Sequence, residues 1–393
     1  MKNIGLSLPP ERMIFLKQNF KFEVRTFLKS KTYLLFFSIF LLMFIWPSIQ
    51  TSLRKPEKDK AGAAQVYLDL NGIAGKQLQS WELAKPATSP VNPSVEDLKH
   101  EQELVQPISS IYYFHPEEKV AFTKATLAFD QFFLQELVNG RRVVGYEQLQ
   151  FKKAIAEKEY LLAENIESVY EKNSTIPAFN QAVITLEDYT PVLWVLMVLG
   201  LNVGYYLIDD KRKGAIDMVN LFPTSKGLVM FNKQIVFLLV TVVSLALSFG
   251  LSFLFSTVTS GVGSSQYPLT YTLDGQSAAV MTIGSFLLKY GLLILGILIF
   301  LIGVSCVVQL FTTNILVSLI ILVCMVMLGA TSNASTTVMT FIPTSYFNFL
   351  DIILPQTGRV VDISVTRGIY VLGLWGVLLC AASIFIAHKR QRI

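Results

Sequence analysis

Residues 191–213 read PVLWVLMVLGLNVGYYLIDDKRK. From Pro191 to Ile208 there is no charge at all, and Asp209-Asp210-Lys211-Arg212-Lys213 then follow without a break. An uncharged apolar stretch of that length suits a helix crossing roughly 30 Å of hydrocarbon. A basic cluster at its end is what holds that end on the cytoplasmic side. Reading outward from this stretch gives further apolar runs at 33–49, 235–255, 278–311, 315–330 and 369–387, so six membrane spans are expected. The run from 278 exceeds what one bilayer needs, which places the span proper at 290–310 and leaves Lys289 to snorkel to the headgroups. The bulk composition agrees. Only 16% of residues are charged and 52% are hydrophobic, with a mean hydropathy of +0.50, whereas soluble chains carry about a quarter charged. An ordinary soluble enzyme and a disordered chain are both excluded.

Lysine and arginine positions give the orientation. The stretches before the first span, between the second and third, and after the last hold 15 basic residues against five acidic ones, whereas 51–188 holds 15 against 20. Both termini are therefore expected in the cytoplasm, with 51–188 outside a multi-pass plasma-membrane protein. Within 10–30, Lys17, Lys21, Arg25 and Lys29 recur every fourth residue, and Met13, Leu16, Phe20, Val24 and Phe27 populate the other face. This pattern predicts an amphipathic helix on the inner leaflet, its basic stripe drawn to anionic lipid.

The outer segment divides by composition. Its first half carries turn formers (Pro86, Pro90, Pro93, Pro107) and β-prone pieces such as 65–70. Helical patterns follow, from 116 to the stop at Asn139-Gly140 and from 146 to 170. A mostly helical insertion, α or α+β, is expected. His100 and His115 stand outside any metal-ligand spacing, and the acidic run Glu157, Glu159, Glu164, Glu167 and Glu171 reads as a solvated helix face. Tyr112-Tyr113-Phe114 reads as core, with a peptide-binding shelf as the alternative. Cys306, Cys324 and Cys380 all fall in apolar runs and read as packing residues. No catalytic, cofactor or metal site is expected, and no nucleic-acid partner.

The loop from 209 to 234 is a short helical pattern between turn formers: Gly214 permits a turn, Pro223 ends the run, and Ile216, Val219, Leu221 and Phe222 offer apolar contacts flanked by charge. Such a segment beside the bilayer suits docking into a groove of another protein. The order Asp209, Asp210, Lys213, Gly214, Asp217, Leu221, Pro223, Ser225, Lys226 and Lys233 resembles the first cytoplasmic loop of ABC-2 type transporter permeases. The acidic pair, usually Glu in that family, is Asp209-Asp210 here. The resemblance covers 10–48 and 191–393, and the outer insertion lies outside the minimal family core. It implies an all-α polytopic fold with six transmembrane helices, an N-terminal elbow helix and re-entrant helices between spans five and six, here within 332–368. It divides the chain into 1–50 (elbow helix and first span), 51–188 (outer domain) and 189–393 (the remaining spans, with the coupling loop 209–234).

The resemblance further implies a non-enzymatic membrane subunit that works with two copies of an ATP-binding subunit and a second permease copy or paralogue. ATP and Mg would sit on the partner, and the loop would couple hydrolysis to outward movement of an amphiphilic peptide, drug, lipid or glycan. The chain's nearest imitation of a phosphate-cradling Walker loop, Gly72-Ile73-Ala74-Gly75-Lys76-Gln77, has the wrong spacing and lies on the outer side. The alternative reading is a membrane-anchored sensor or immunity protein that binds an extracellular peptide without transport.

Overall fold

In the computed structural model, the structure describes residues 10–53, 62–84, 94–115, 117–169, 176–212, 226–312, 314–331, 337–356 and 363–389. The first element is α1 (Pro10–Lys29), and α2 (Lys31–Leu53) follows across a one-residue break. Ser30 makes that break: its hydroxyl accepts from Tyr33 N at 3.1 Å, capping α2, while its own N–H bonds back to Phe27 O at 3.0 Å. Four helices of the insertion come next, α3 (Gly62–Ala84), α4 (Val95–Phe114), α5 (Lys119–Val138) and α6 (Gln148–Ala163). The chain then returns through α7 (Ala178–Ile184) and the π-helical turn Thr185–Tyr189 to α8 (Val192–Arg212). Beyond these lie α9 (Lys226–Ser260), the strands β1 (Pro268–Tyr271) and β2 (Ala279–Thr282), α10 (Ile283–Phe311) and α11 (Ile315–Thr331). Two 3-10 turns (Thr337–Phe341 and Pro343–Tyr346), α12 (Phe349–Ile353) and α13 (Val365–Lys389) complete the series.

The chain is a helical, membrane-embedded protein. Four helices, α2, α9, α10 and α13, are long and apolar enough to cross a bilayer, and the segment α7–α8, bent by 82° at Thr190-Pro191, makes a fifth if counted as one span. The remaining expected span, the fifth in chain order, falls on α11, a shorter apolar helix. Pro191 lacks an N–H to continue the helical ladder, and its carbonyl instead accepts Trp194 N at 2.8 Å to begin α8.

Small residues hold the spans together. A side chain built on Gly303 of α10 would put its Cβ 2.8 Å from Leu379 Cβ and 2.9 Å from the Gly376 carbonyl oxygen of α13. Those two helices can meet so closely only because the glycines leave room. On α9, serines recur every fourth residue facing α2: Ser244 Oγ lies 3.1 Å from Tyr33 Oη, Ser252 Oγ donates to Phe44 O at 2.8 Å, and Ser48 Oγ lies 2.9 Å from Ser252 Oγ.

Three expectations need correction. The stretch 65–70, expected to be β-prone, lies inside α3, where Tyr67 and Leu70 bury against α4 and α5; tertiary packing overrides local β preference. An antiparallel hairpin joins α9 to α10 where an all-α chain is expected, pairing Pro268 with Thr282 through Tyr271 with Ala279. Its turn is fixed by Asp274, whose carboxylate accepts Gln276 N at 2.9 Å and Ser277 N at 2.7 Å. The helical pattern expected over 146–170 closes earlier, at Ala163.

The four insertion helices form a unit with its own core of Ala64, Tyr67, Leu70, Val105, Ile108, Phe129 and Phe133. It rests on the bundle through α6. Lys152 Nζ donates to Gln276 O at 2.8 Å, Lys153 Nζ to Gln356 Oε1 at 2.6 Å, and Tyr267 Oη to Glu157 Oε1 at 3.2 Å.

Candidate functional site

Those of the residues singled out from the sequence that the structure describes lie toward the end of the bundle that carries α1. Of the loop residues, Lys213, Gly214, Asp217, Leu221, Pro223 and Ser225 lie outside the described residues, as does most of the segment itself. Asp209 and Asp210 occupy the last turn of α8, and Lys226 opens α9, so the loop is bracketed by two defined helix ends. Lys17 lies within α1. Lys21, Arg25 and Lys29 stand exposed on α1, as the basic stripe requires.

What joins these pieces is an aromatic cluster. Phe27 of α1 is only 2% exposed. Its ring meets the edge of Tyr206 at a centroid distance of 4.3 Å, lies 5.8 Å from Phe237 in a T-shaped arrangement, and sits 5.0 Å from Tyr33. Tyr206 of α8 and Phe237 of α9 stack on each other at 5.0 Å. Offset and edge-on pairs of this kind add about 0.5–1.5 kcal/mol each beyond the area they bury. One phenylalanine therefore ties α1 to the two helices that enclose the loop.

Polar contacts reinforce it. Tyr206 Oη donates to Glu23 Oε2 at 3.4 Å, and the Lys233 ammonium lies 5.2 Å from the Tyr206 ring centroid, a cation–π contact for a side chain only 9% exposed. On the far side of α9, Gln234 Nε2 donates to Ser383 Oγ at 3.0 Å, and a Cβ on Gly227 would meet Ile384 O of α13 at 3.0 Å. The first turns of α9 are thus wedged between α1 and α13.

Sequence reasoning assigned Phe27 to the apolar face of α1 but missed Tyr206 and Phe237 as its partners. The Tyr205-Tyr206 pair beside Asp209 was the available signal, since tyrosines gather at the membrane boundary. Chemically, the arrangement holds no nucleophile–base pair, and among the described residues no three His, Cys, Asp or Glu side chains come close enough to hold a metal. What it provides is a stiff mechanical connection with three cations facing outward.

Comparison of the chain with protein-family models, with curated proteins and with solved structures finds no match in any of the three.

Proposed function

We propose that this chain is the membrane-spanning permease of an ATP-driven exporter of the ABC-2 type, embedded in the cell membrane with six spans and both termini in the cytoplasm. The observation that carries the reading is the Phe27 anchor, which locks a basic amphipathic helix to the two helix ends bracketing the loop 213–225. A push on that loop from a partner would pass directly into α8 and α9. It would also reach α13, through Gln234–Ser383. The partner would be an ATP-binding subunit in two copies, carrying ATP and Mg, with a second permease copy or paralogue beside this one. Asp209, Asp210, Lys213, Gly214, Asp217, Leu221, Pro223, Ser225, Lys226 and Lys233 would form the coupling surface. In this reading α11 is the fifth span, and the short turns from Thr337 to Ile353 are the re-entrant segment before the last span. The cargo would be amphiphilic, a peptide, drug, lipid or glycan, because apolar span surfaces suit such a molecule and offer few fixed charges to an ion-coupled carrier.

Affinity purification of the tagged protein from its own membranes in mild detergent, followed by identification of stoichiometric partners, tests this. The expected result is a soluble ATPase that is lost when 214–226 is scrambled in a protein that still folds. Recovery of the intact protein with no ATPase overturns the coupling assignment and favours the sensor or immunity reading, in which the outer helical unit binds a ligand without transport.

A further inference from the structure

The outer helical unit ends, on its membrane side, in exposed aromatic residues. Its helices alternate in direction. On α5 and α6, Gln131 Nε2 donates to Glu159 Oε1 at 3.3 Å and Gln148 Nε2 to Leu137 O at 3.1 Å; on α4 and α5, His100 packs on Phe132 at 5.0 Å and Tyr112 on Phe122 at 5.9 Å. The end of α4, the start of α5 and the end of α6 therefore share one side. That side faces the bundle: Lys119 Nζ pairs at 2.9 Å with Glu167 in the stretch that leaves α6, and two residues further on Val169 N donates to Tyr267 Oη at 3.4 Å. Tyr267 O in turn accepts the N–H of Ile283, where α10 begins, at 3.0 Å. The opposite end, 139–147, lies beyond the hairpin turn that Lys152 touches.

At the membrane-side end, Tyr113 is 49% exposed, Phe114 is 76% exposed and Val120 is also exposed, around the turn 115–118. This corrects the expectation that the Tyr112–Phe114 cluster is core: Tyr112 alone packs inward, against Phe122. The unit's core is complete without the other two. Exposed Trp46 on α2, Trp194 on α8 and Tyr370 on α13 stand near the ends of their helices on this same side. Aromatic rings gather at that depth because an apolar body with a polar edge fits the boundary between headgroups and hydrocarbon.

We propose that Tyr113, Phe114 and Val120 rest in the headgroup layer of the leaflet on their side, giving the outer unit a lipid foothold beside its protein contacts at the hairpin. The chain's path favours lipid over a partner protein. Leu161, Ile166 and Val169, at the end of α6 and just beyond it, pack into the core of the bundle, and Val169 bonds Tyr267 beside the start of α10, which holds this end of the unit at the level where a membrane helix begins. The inference does not depend on coupling to an ATPase.

Nitroxide labels test it on the full chain in which Cys306, Cys324 and Cys380 are replaced by alanine, reconstituted in vesicles of phosphatidylethanolamine and phosphatidylglycerol. Labels go on Phe114→Cys and Val120→Cys, with Val144→Cys at the opposite end as the reference. Val120→Cys leaves both aromatic rings in place, so position 120 decides: a negative result there cannot come from removing the anchor, as one at 114 could. The expected result is several-fold more collision with oxygen than with a water-soluble nickel chelate at 120, and the reverse at 144. Nickel access at 120 equal to that at 144 would overturn the proposal. So would a label at 120 shielded from both reagents, which would indicate a protein partner or a second copy.

Discussion

Replacing Phe27 with alanine deletes a ring in contact with Tyr33, Tyr206 and Phe237. Phe→Ala changes at comparably buried sites cost about 3–5 kcal/mol. The expected outcome is release of α1, read as faster amide exchange across 20–29 and a lower unfolding temperature in detergent, while Phe22→Ala, at an exposed position, leaves both unchanged. In the outer unit, Arg141 Nη1 donates to Glu101 Oε2 at 2.6 Å with both side chains buried, and Glu136 lies buried in the same cluster. Glu101 alone pairs with the guanidinium, and Glu136 feels its charge without a hydrogen bond to it. Burial raises the affinity of both for a proton; Arg141 opposes this at each, while Asp97 adds to it at Glu136. A raised folded-state value means stability is full below the ordinary glutamate range and is lost as pH rises through the shifted range. Amide exchange in α4 and α5, corrected for the intrinsic pH dependence, is expected to quicken as pH rises above the ordinary glutamate range in the native protein and less so in Glu136→Gln. Asp97 works in the opposite sense: its hydrogen bonds from Ser94 hold its value down, so its capping box is lost as pH falls. Phe27 was legible in sequence because it obeys the spacing of α1. The Arg141–Glu101 pair was not, since the two residues are 40 apart and nothing local marks them as neighbours.

At the scale of elements, the tightest junction is α10 against α13. Gly303→Leu forces the two helices apart and is expected to cost about 1–3 kcal/mol or more as overpacking. Gly291→Ala, where a Cβ meets nothing within 4 Å, should be neutral or stabilising by up to about 1 kcal/mol. Unfolding temperatures of the two variants in the same detergent check the contrast; equal values would mean the glycine contact carries no packing role. Helix positions in the spans were legible because hydrocarbon demands long apolar runs. Helix α3 was not, because its local preference leans toward β and only burial of Tyr67 and Leu70 decides it. The hairpin was also missed: β2 lies at the start of an apolar run that reads as approach to a span, β1 falls between two such runs, and Asp274 fixes the turn with contacts only two and three residues away.

For the molecule as a whole, the proposed orientation predicts that protease added to intact cells stripped of their wall cuts within 51–188 and spares tags at both termini; cleavage of either tag would reverse that topology. Long apolar helices and a more charged insertion between the first two of them were legible from charge and hydropathy. How the two attach was not, because Lys152, Lys153 and Glu157 look like ordinary surface charges until the hairpin and Gln356 are brought against them. That attachment has a mechanical consequence. Strand β2 ends at Thr282 and α10 starts at Ile283, so no slack separates the seat of the outer unit from a 29-residue membrane helix. The contacts run along α6, from Lys152 and Lys153 near its start to Val169 just past its end, so the helical unit is seated along that whole length rather than at one point. A tilt of α10 is therefore expected to carry the entire unit with it as one body.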